Sequence, residues 1–243
     1  MNADRTIAIA LRIVNQIVRD RRSIALIVVA PIVVMSLVGF SFADQRGVLD
    51  RVAPALIGVF AMFFTFILTG VSFLRERAQG TLERLLTTPV SRANILVGYL
   101  IGFLLFASLQ SLVILLFTIF ALQIEYQGAL WQIFVLLMVL TVVAVSLGIF
   151  ISTFARNEFQ VVQFIPIVLS PQIFLSGVIL PVEELPGYFQ AVSKVLPLTY
   201  AVEGLREIML TGETLAGVWR KMAVLGGYAV ALLALAAATV RRT

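Results

Sequence analysis

"RERAQGTLERLLTTPVSR", residues Arg75 to Arg92, separates two of the most apolar stretches of this chain with a short charged segment. Gly80 breaks any continuation of the preceding apolar helix, since glycine costs about 1 kcal/mol in a helix interior. Thr81 is placed to cap a new helix. Glu83 falls in the first turn, where a negative charge complements the helix dipole. Leu82, Leu85 and Leu86 share one face at i, i+3 and i+4. Pro89 disfavours helix at Thr88 and so ends the element. The spacing predicts a two-turn helix at the cytoplasmic surface, with a leucine face and a second face of Glu83, Arg84, Thr87 and Thr88. A helix stopped at both ends suits a plug that docks on a cytoplasmic partner better than a linker resting on headgroups.

Composition says what surrounds this segment. The chain of 243 residues is 60% hydrophobic and 13% charged, where soluble domains run at about 45–50% and about 25%. Lipid is the solvent that such a surface demands. Cysteine and histidine are both absent from the sequence, which removes disulfides, thiolate metal sites and the commonest general base. The net charge of +5 and the pI of 10.1 arise from basic residues that flank apolar runs. They form no aromatic-interleaved patch, so they read as a topology signal and not as a nucleic-acid surface. The first apolar run follows five arginines, and its end, "GFSFADQRG", offers no small-x-small cleavage site, so it is expected to remain as an anchor.

About 20 apolar residues cross a bilayer as a helix. Six stretches meet that length: Ser23–Ala43, Val52–Leu74, Ile95–Leu122, Leu130–Phe154, Phe159–Leu180 and Met222–Val240. With both termini inside, twelve Lys and Arg residues fall on the cytoplasmic side against six outside, which sets the orientation. The predicted fold is an all-α membrane protein with a single transmembrane domain over 1–243. Residues 1–22 form an interfacial helix, 23–181 hold spans one to five, 182–217 form an outer segment, and 218–243 hold the last span and a cytoplasmic tail. Within Asp4–Arg22, Ile7, Leu11, Val14 and Val18 recur at helical spacing, joined by Ala10, Ile13 and Ile17, with arginines filling much of the rest. In the outer segment Leu185, Tyr188, Phe189, Val192 and Leu196 form one stripe. Leu198, Ala201, Val202, Leu205 and Met209 form another, and Pro197 separates the two. Two short helices dipping into the outer leaflet fit these stripes, with an ordinary external loop as the alternative.

Within the predicted spans the polar residues are mainly hydroxyls and glutamines, and of these Gln110 and Gln163 are the candidates for contact with a bound molecule. Most of the others fit helix packing, as do Gly98 and Gly102 at small-xxx-small spacing. No ionisable group falls within those spans, although ion-coupled carriers usually place one there. A lipid-modifying enzyme would need a base or metal cluster, and the adjacent pair Glu183 and Glu184 is adequately explained as helix-start residues.

Two stretches carry a resemblance: "ERAQGTLERLLTTPVSRANILVGYLIG" from Glu76, and "LSGVILPVEELPGYFQAVSKVLPLTYAVEGLREIML" from Leu175. In order and spacing they resemble the permease subunits of ATP-binding-cassette transporters of the ABC type-2 family, which includes drug, antibiotic and polysaccharide or lipid exporters. The resemblance implies an interfacial helix, six spans, re-entrant helices before the sixth, and a coupling helix between spans two and three. Here that helix runs from Gly80 to Pro89 and docks on a nucleotide-binding ATPase subunit, with Arg156, Asn157 and Glu158 of the other inner loop beside it. The resemblance also implies a second permease, identical or paralogous. ATP and Mg belong to the partner, because no phosphate loop exists here: no glycine is followed by lysine. This chain is then expected to bind no cofactor and to carry no catalytic residue. It sits in the cell membrane among lipid. An ion-coupled secondary transporter or channel is the alternative.

Overall fold

Long runs of Leu, Ile, Val and Phe without a breaker favour helices, and in lipid the backbone must satisfy itself within each segment. The computed structural model describes residues 3–87 and 90–239. Thr88, Pro89, Val240, Arg241 and Arg242 lie outside the described residues, as do the side chains of Arg21, Arg22, Glu83, Leu86 and Arg92. The helices are α1 (Ala3–Arg19), α2 (Arg21–Ser41), α3 (Arg46–Ala78), α4 (Thr81–Leu86), α5 (Arg92–Leu116), α6 (Leu130–Ser152), α7 (Glu158–Leu175), α8 (Gly187–Ser193), α9 (Pro197–Thr211) and α10 (Trp219–Thr239). A π turn, Phe117–Ala121, prolongs α5, and a 3₁₀ turn, Val182–Glu184, precedes α8. Among the described residues there are no strands.

Among the described residues, five helices are long and apolar enough to cross a membrane: α3, α5 with its π turn, α6, α7 and α10. The first expected span is helical as α2, but its apolar described part, Ile27–Ser41, is shorter than that threshold. The second expected span is longer than its apolar core, because α3 runs 33 residues through the charged ends on both sides. The fifth is shorter than expected. It stops at Leu175 and contains Pro166 and Pro171, each of which removes a backbone donor.

The most apolar helix, α6, is central, with Leu136, Leu137, Leu140, Val143 and Ala144 buried against α3, α5, α9 and α10. The two outer stripes behave differently. Leu198, Ala201, Val202, Leu205 and Met209 of α9 are all buried, while Tyr188, Phe189 and Val192 of α8 are exposed. Pro197 starts α9 at its first turn, where its missing N–H costs nothing. Lys221 of α10 donates to the Glu207 carboxylate at 2.6 Å, tying α10 to α9. On the same helix, burial pushes the Glu203 carboxyl up, and the nearby Lys221 partly offsets it.

The span hydroxyls mostly serve their own helices. Ser36, Thr118, Thr141 and Ser146 each donate to the carbonyl four residues back. Ser111 and Thr141 pair across α5 and α6 at 3.0 Å. Packing between helices therefore rests less on hydroxyl bridges than the sequence suggested.

Candidate functional site

The short helix α4 sits where α3 hands over to α5. Gly80 adopts a left-handed φ of 68°, which a side chain would resist, and this turns the chain out of α3. The Gly80 carbonyl accepts from the Arg84 N–H at 3.2 Å, so Gly80 takes the cap position and Thr81 is already helical. The expectation that Thr81 caps the helix is thereby corrected. Thr87 donates from its hydroxyl to the Arg84 carbonyl at 2.8 Å and closes the far end.

A second correction concerns the leucine face. Leu82 is 3% exposed and packs in a cluster with residues of α1, α3 and α5, and Leu85 is half-buried against it. Burying a leucine is worth about 1.5–3 kcal/mol, and here this chain's own bundle provides that burial. Leu82 is not free for a partner's cleft. The face turned outward carries Arg84 and Thr87, both exposed.

Three consecutive residues at the end of α3 reach three directions. Arg75 donates to both Glu158 oxygens, at 2.6 Å and 3.2 Å, and so holds the start of α7. Arg77 donates to the Ser152 carbonyl at the end of α6, at 2.8 Å. Glu76, 2% exposed, accepts from Arg12 of α1 at 2.5 Å and from the Tyr99 hydroxyl of α5 at 2.8 Å. Arg12 also donates to the Tyr99 oxygen at 2.9 Å. In sequence Glu76 belonged to a solvated charged segment. Its partners are 64 and 23 residues away, so no local pattern could have disclosed its burial.

Helix α1 completes this end. A Cβ added to Gly98 would lie 2.8 Å from the Ile9 Cβ, and one added to Gly102 the same distance from that of Ile13. The glycine pair therefore has a packing role, and the element it admits is α1. Ile9, Ala10, Ile13 and Ile17 face α5, while Ile7, Leu11 and Val18 stay uncovered on a second apolar face.

The other predicted site residues divide. Asn157 caps α7 by accepting from the Gln160 N–H at 2.9 Å. The Arg156 N–H donates to the Gln160 side chain at 2.7 Å, and Arg156 is otherwise exposed. Through Arg75 and Arg77, residues 152–158 are joined to the end of α3 from which the chain continues into α4. Gln110 is buried, and its Oε1 has no hydrogen-bond partner among the described residues. Gln163 is exposed on α7. Among the described residues no acidic cluster could hold a metal.

Residues 5–210 match the ABC-2 type transporter family. ABC transporter G family member 20 of Dictyostelium discoideum is 31% identical over 164 residues, covering 68% of this chain and 22% of that protein. The Escherichia coli (strain K12) protein named "Probable multidrug ABC transporter permease YbhR" is 29% identical over 171 residues, 70% of this chain and 46% of its own length. Nodulation protein J of Rhizobium meliloti (strain 1021) is 33% identical over 178 residues, 73% of this chain and 67% of its own. The chain thus spans less than half the length of the first two relatives.

Proposed function

The chain belongs to the ABC-2 type transporter family, and on that premise we propose that it is the permease of an exporter driven by ATP hydrolysis in a separate nucleotide-binding subunit. One observation carries this reading: α4 is anchored beneath by Leu82 while it presents Arg84 and Thr87 outward. A docking helix needs that arrangement, because a force applied to its outer face must reach the bundle through a fixed inner one. Gly80 to Pro89 is then the coupling helix, with Arg156, Asn157 and Glu158 as the second contact with the ATPase.

ATP closure brings two nucleotide-binding subunits together and displaces α4. Since α4 is covalently continuous with α3 and α5, and Arg75 and Arg77 hold α7 and α6, the displacement reaches four spans at once. Phosphoryl chemistry, with ATP and Mg, stays in the partner, and this chain holds no cofactor. In this scheme α2 is the first span and brings the number to six, α8 and α9 lie in the outer leaflet, both termini are cytoplasmic, and a second copy or paralogue completes the pathway in the cell membrane. The cargo is amphipathic, in the range of drug-like, lipid or glycan molecules, and the Escherichia coli relative YbhR is named a probable multidrug permease. Gln110 and Gln163 are its candidate contacts, with Gln110 the stronger because its amide oxygen is unpaired.

Glu76 is the one observation that leans towards an ion-coupled carrier, since it is buried. It lies two residues from the end of α3, and Arg12 and Tyr99 occupy it. That is the arrangement of a structural strap more than of an ion site. The test is dye uptake into inverted vesicles holding this chain and the ATPase that co-purifies with it. Uptake should require ATP and stop with vanadate. Uptake that survives vanadate and collapses with a protonophore would establish the ion-coupled carrier instead.

A further inference from the structure

Helix α1 has three faces. Ile9, Ala10, Ile13 and Ile17 are buried on the side that packs on α5. Ile7, Leu11 and Val18 are each at least 50% exposed and form a second, apolar row with the half-buried Val14. Arg5, Arg12 and Arg19 recur every seven residues, about two helical turns apart, and make up the third face. Between the second row and α5 runs a groove of about 420 Å³, walled by Ile7, Leu11 and Val14 on one side and by Ile101, Leu104 and Leu105 on the other. Across Leu11 the surface changes character, to Arg12, Asn15, Gln16 and Arg19.

Two observations say what covers this groove. The first is continuity. The exposed row of α5 runs on from Ile101 and Leu105 to Leu109 and Leu116, so the groove opens onto the outer face of a helix apolar enough to cross a membrane. The second is charge. Residues 4–22 hold five arginines against Asp4 and Asp20, a net +3. Arg12 donates to Glu76, which brings the local balance to +2. Arg5 and Arg19 are exposed on the arginine face. An amphipathic helix with a basic excess beside an apolar row attracts anionic lipid, whereas a zwitterionic headgroup brings no net charge to meet it.

We propose that the groove between α1 and α5 seats an acyl chain of an anionic phospholipid, with its phosphodiester on the arginine face. Leu11 marks the boundary between chain and head. The arginine stems cover apolar surface while their guanidinium groups reach the phosphates. The buried face of α1 shares a cluster with Leu82 of α4, and Arg12 fastens the helix to α3, so a lipid held here bears on the end of the bundle that carries α4. This lipid site does not rest on the exporter reading.

The test uses the full chain reconstituted in phosphatidylcholine vesicles at low salt, with Leu11→Cys labelled by a bimane fluorophore. The label is specific because the sequence has no other cysteine. Phosphatidylglycerol and phosphatidylcholine bearing the same nitroxide on the acyl chain are titrated in as quenchers. Phosphatidylglycerol should reach half-quenching at about one-fifth of the mole fraction, the ratio that one basic residue near an anionic surface contributes. In Arg5→Gln combined with Arg19→Gln, which removes the net +2, the ratio should fall to about one. The unmodified arginines in about 1 M salt should give the same fall, because screening then acts within about 3 Å, and this arm needs no variant to fold. A bimane at Val230→Cys, exposed on α10, should be quenched equally by both lipids. Equal quenching at Leu11, a preference that survives the salt or the double variant, or an equal preference at Val230 would each overturn the site. Absence of quenching by either lipid at Leu11 would overturn it too, and would mean that protein covers the groove.

Discussion

Removing Arg12 should cost more stability than neutralising Glu76, although Arg12 is the more exposed of the two. The Glu76 side chain is 3% exposed and that of Arg12 is 35% exposed. In Arg12→Ala the carboxylate stays buried with one phenol as its donor, and breaking a buried pair in this way costs about 3–5 kcal/mol. In Glu76→Gln the amide oxygen still accepts from Tyr99, and Arg12 keeps the Tyr99 oxygen and a third of its surface in solvent. What is lost is one charge-assisted bond, about 1.5 kcal/mol at the lower end of its range because Arg12 can rehydrate. The gap between the variants is therefore about 2 kcal/mol. Arg12→Leu combined with Glu76→Leu should recover most of the Arg12→Ala loss, since no buried charge remains and the Tyr99 hydroxyl alone lacks a partner. Reversible unfolding in mixed maltoside–dodecyl sulfate micelles, followed by circular dichroism, measures all three. Glu76→Gln falling at or below Arg12→Ala, or a double variant less stable than Arg12→Ala, would refute a buried carboxylate as the element that straps α1 to α3.

The two faces of α4 should separate by assay. Leu82→Asp should lower the stability of the isolated chain by at least about 2 kcal/mol through lost burial, whereas Arg84→Glu should leave its melting unchanged and reduce the ATPase recovered in co-purification. Equal recovery with Arg84→Glu would move the docking contact elsewhere. Gly102→Val places a Cβ 2.8 Å from that of Ile13, an overpacking worth about 1–3 kcal/mol. A cysteine introduced at Ile13 should then react faster with an aqueous maleimide, and unchanged protection would mean that α1 does not depend on the glycine pair. In intact cells a cysteine at Gly187 should be labelled from outside by an impermeant reagent. Labelling only after the membrane is opened would reverse the orientation drawn from the arginines.

Helix α6 was expected at Leu130–Phe154 and is found at Leu130–Ser152, and Gly80 stops α3 as its sequence position indicates. Such features were legible because helix formation, interruption and membrane-spanning length depend on residues adjacent in the chain. Helix α4 was legible for the same reason, as a short segment between two apolar runs. Its orientation was not. Leu82, Leu85 and Leu86 announce an apolar face, but a leucine seated in its own bundle and one awaiting a partner read identically. The same ambiguity holds along α1, where Ile13 packs on α5 and Leu11 stays bare. Burial of Glu76 and the unpaired oxygen of Gln110 arise from neighbours far off in sequence, so only the packed bundle discloses them. In water the polar face of a helix reveals which side is buried. In lipid the solvent is as apolar as the protein interior, so sequence alone indicates where apolar helices form and leaves to packing which side of each meets protein.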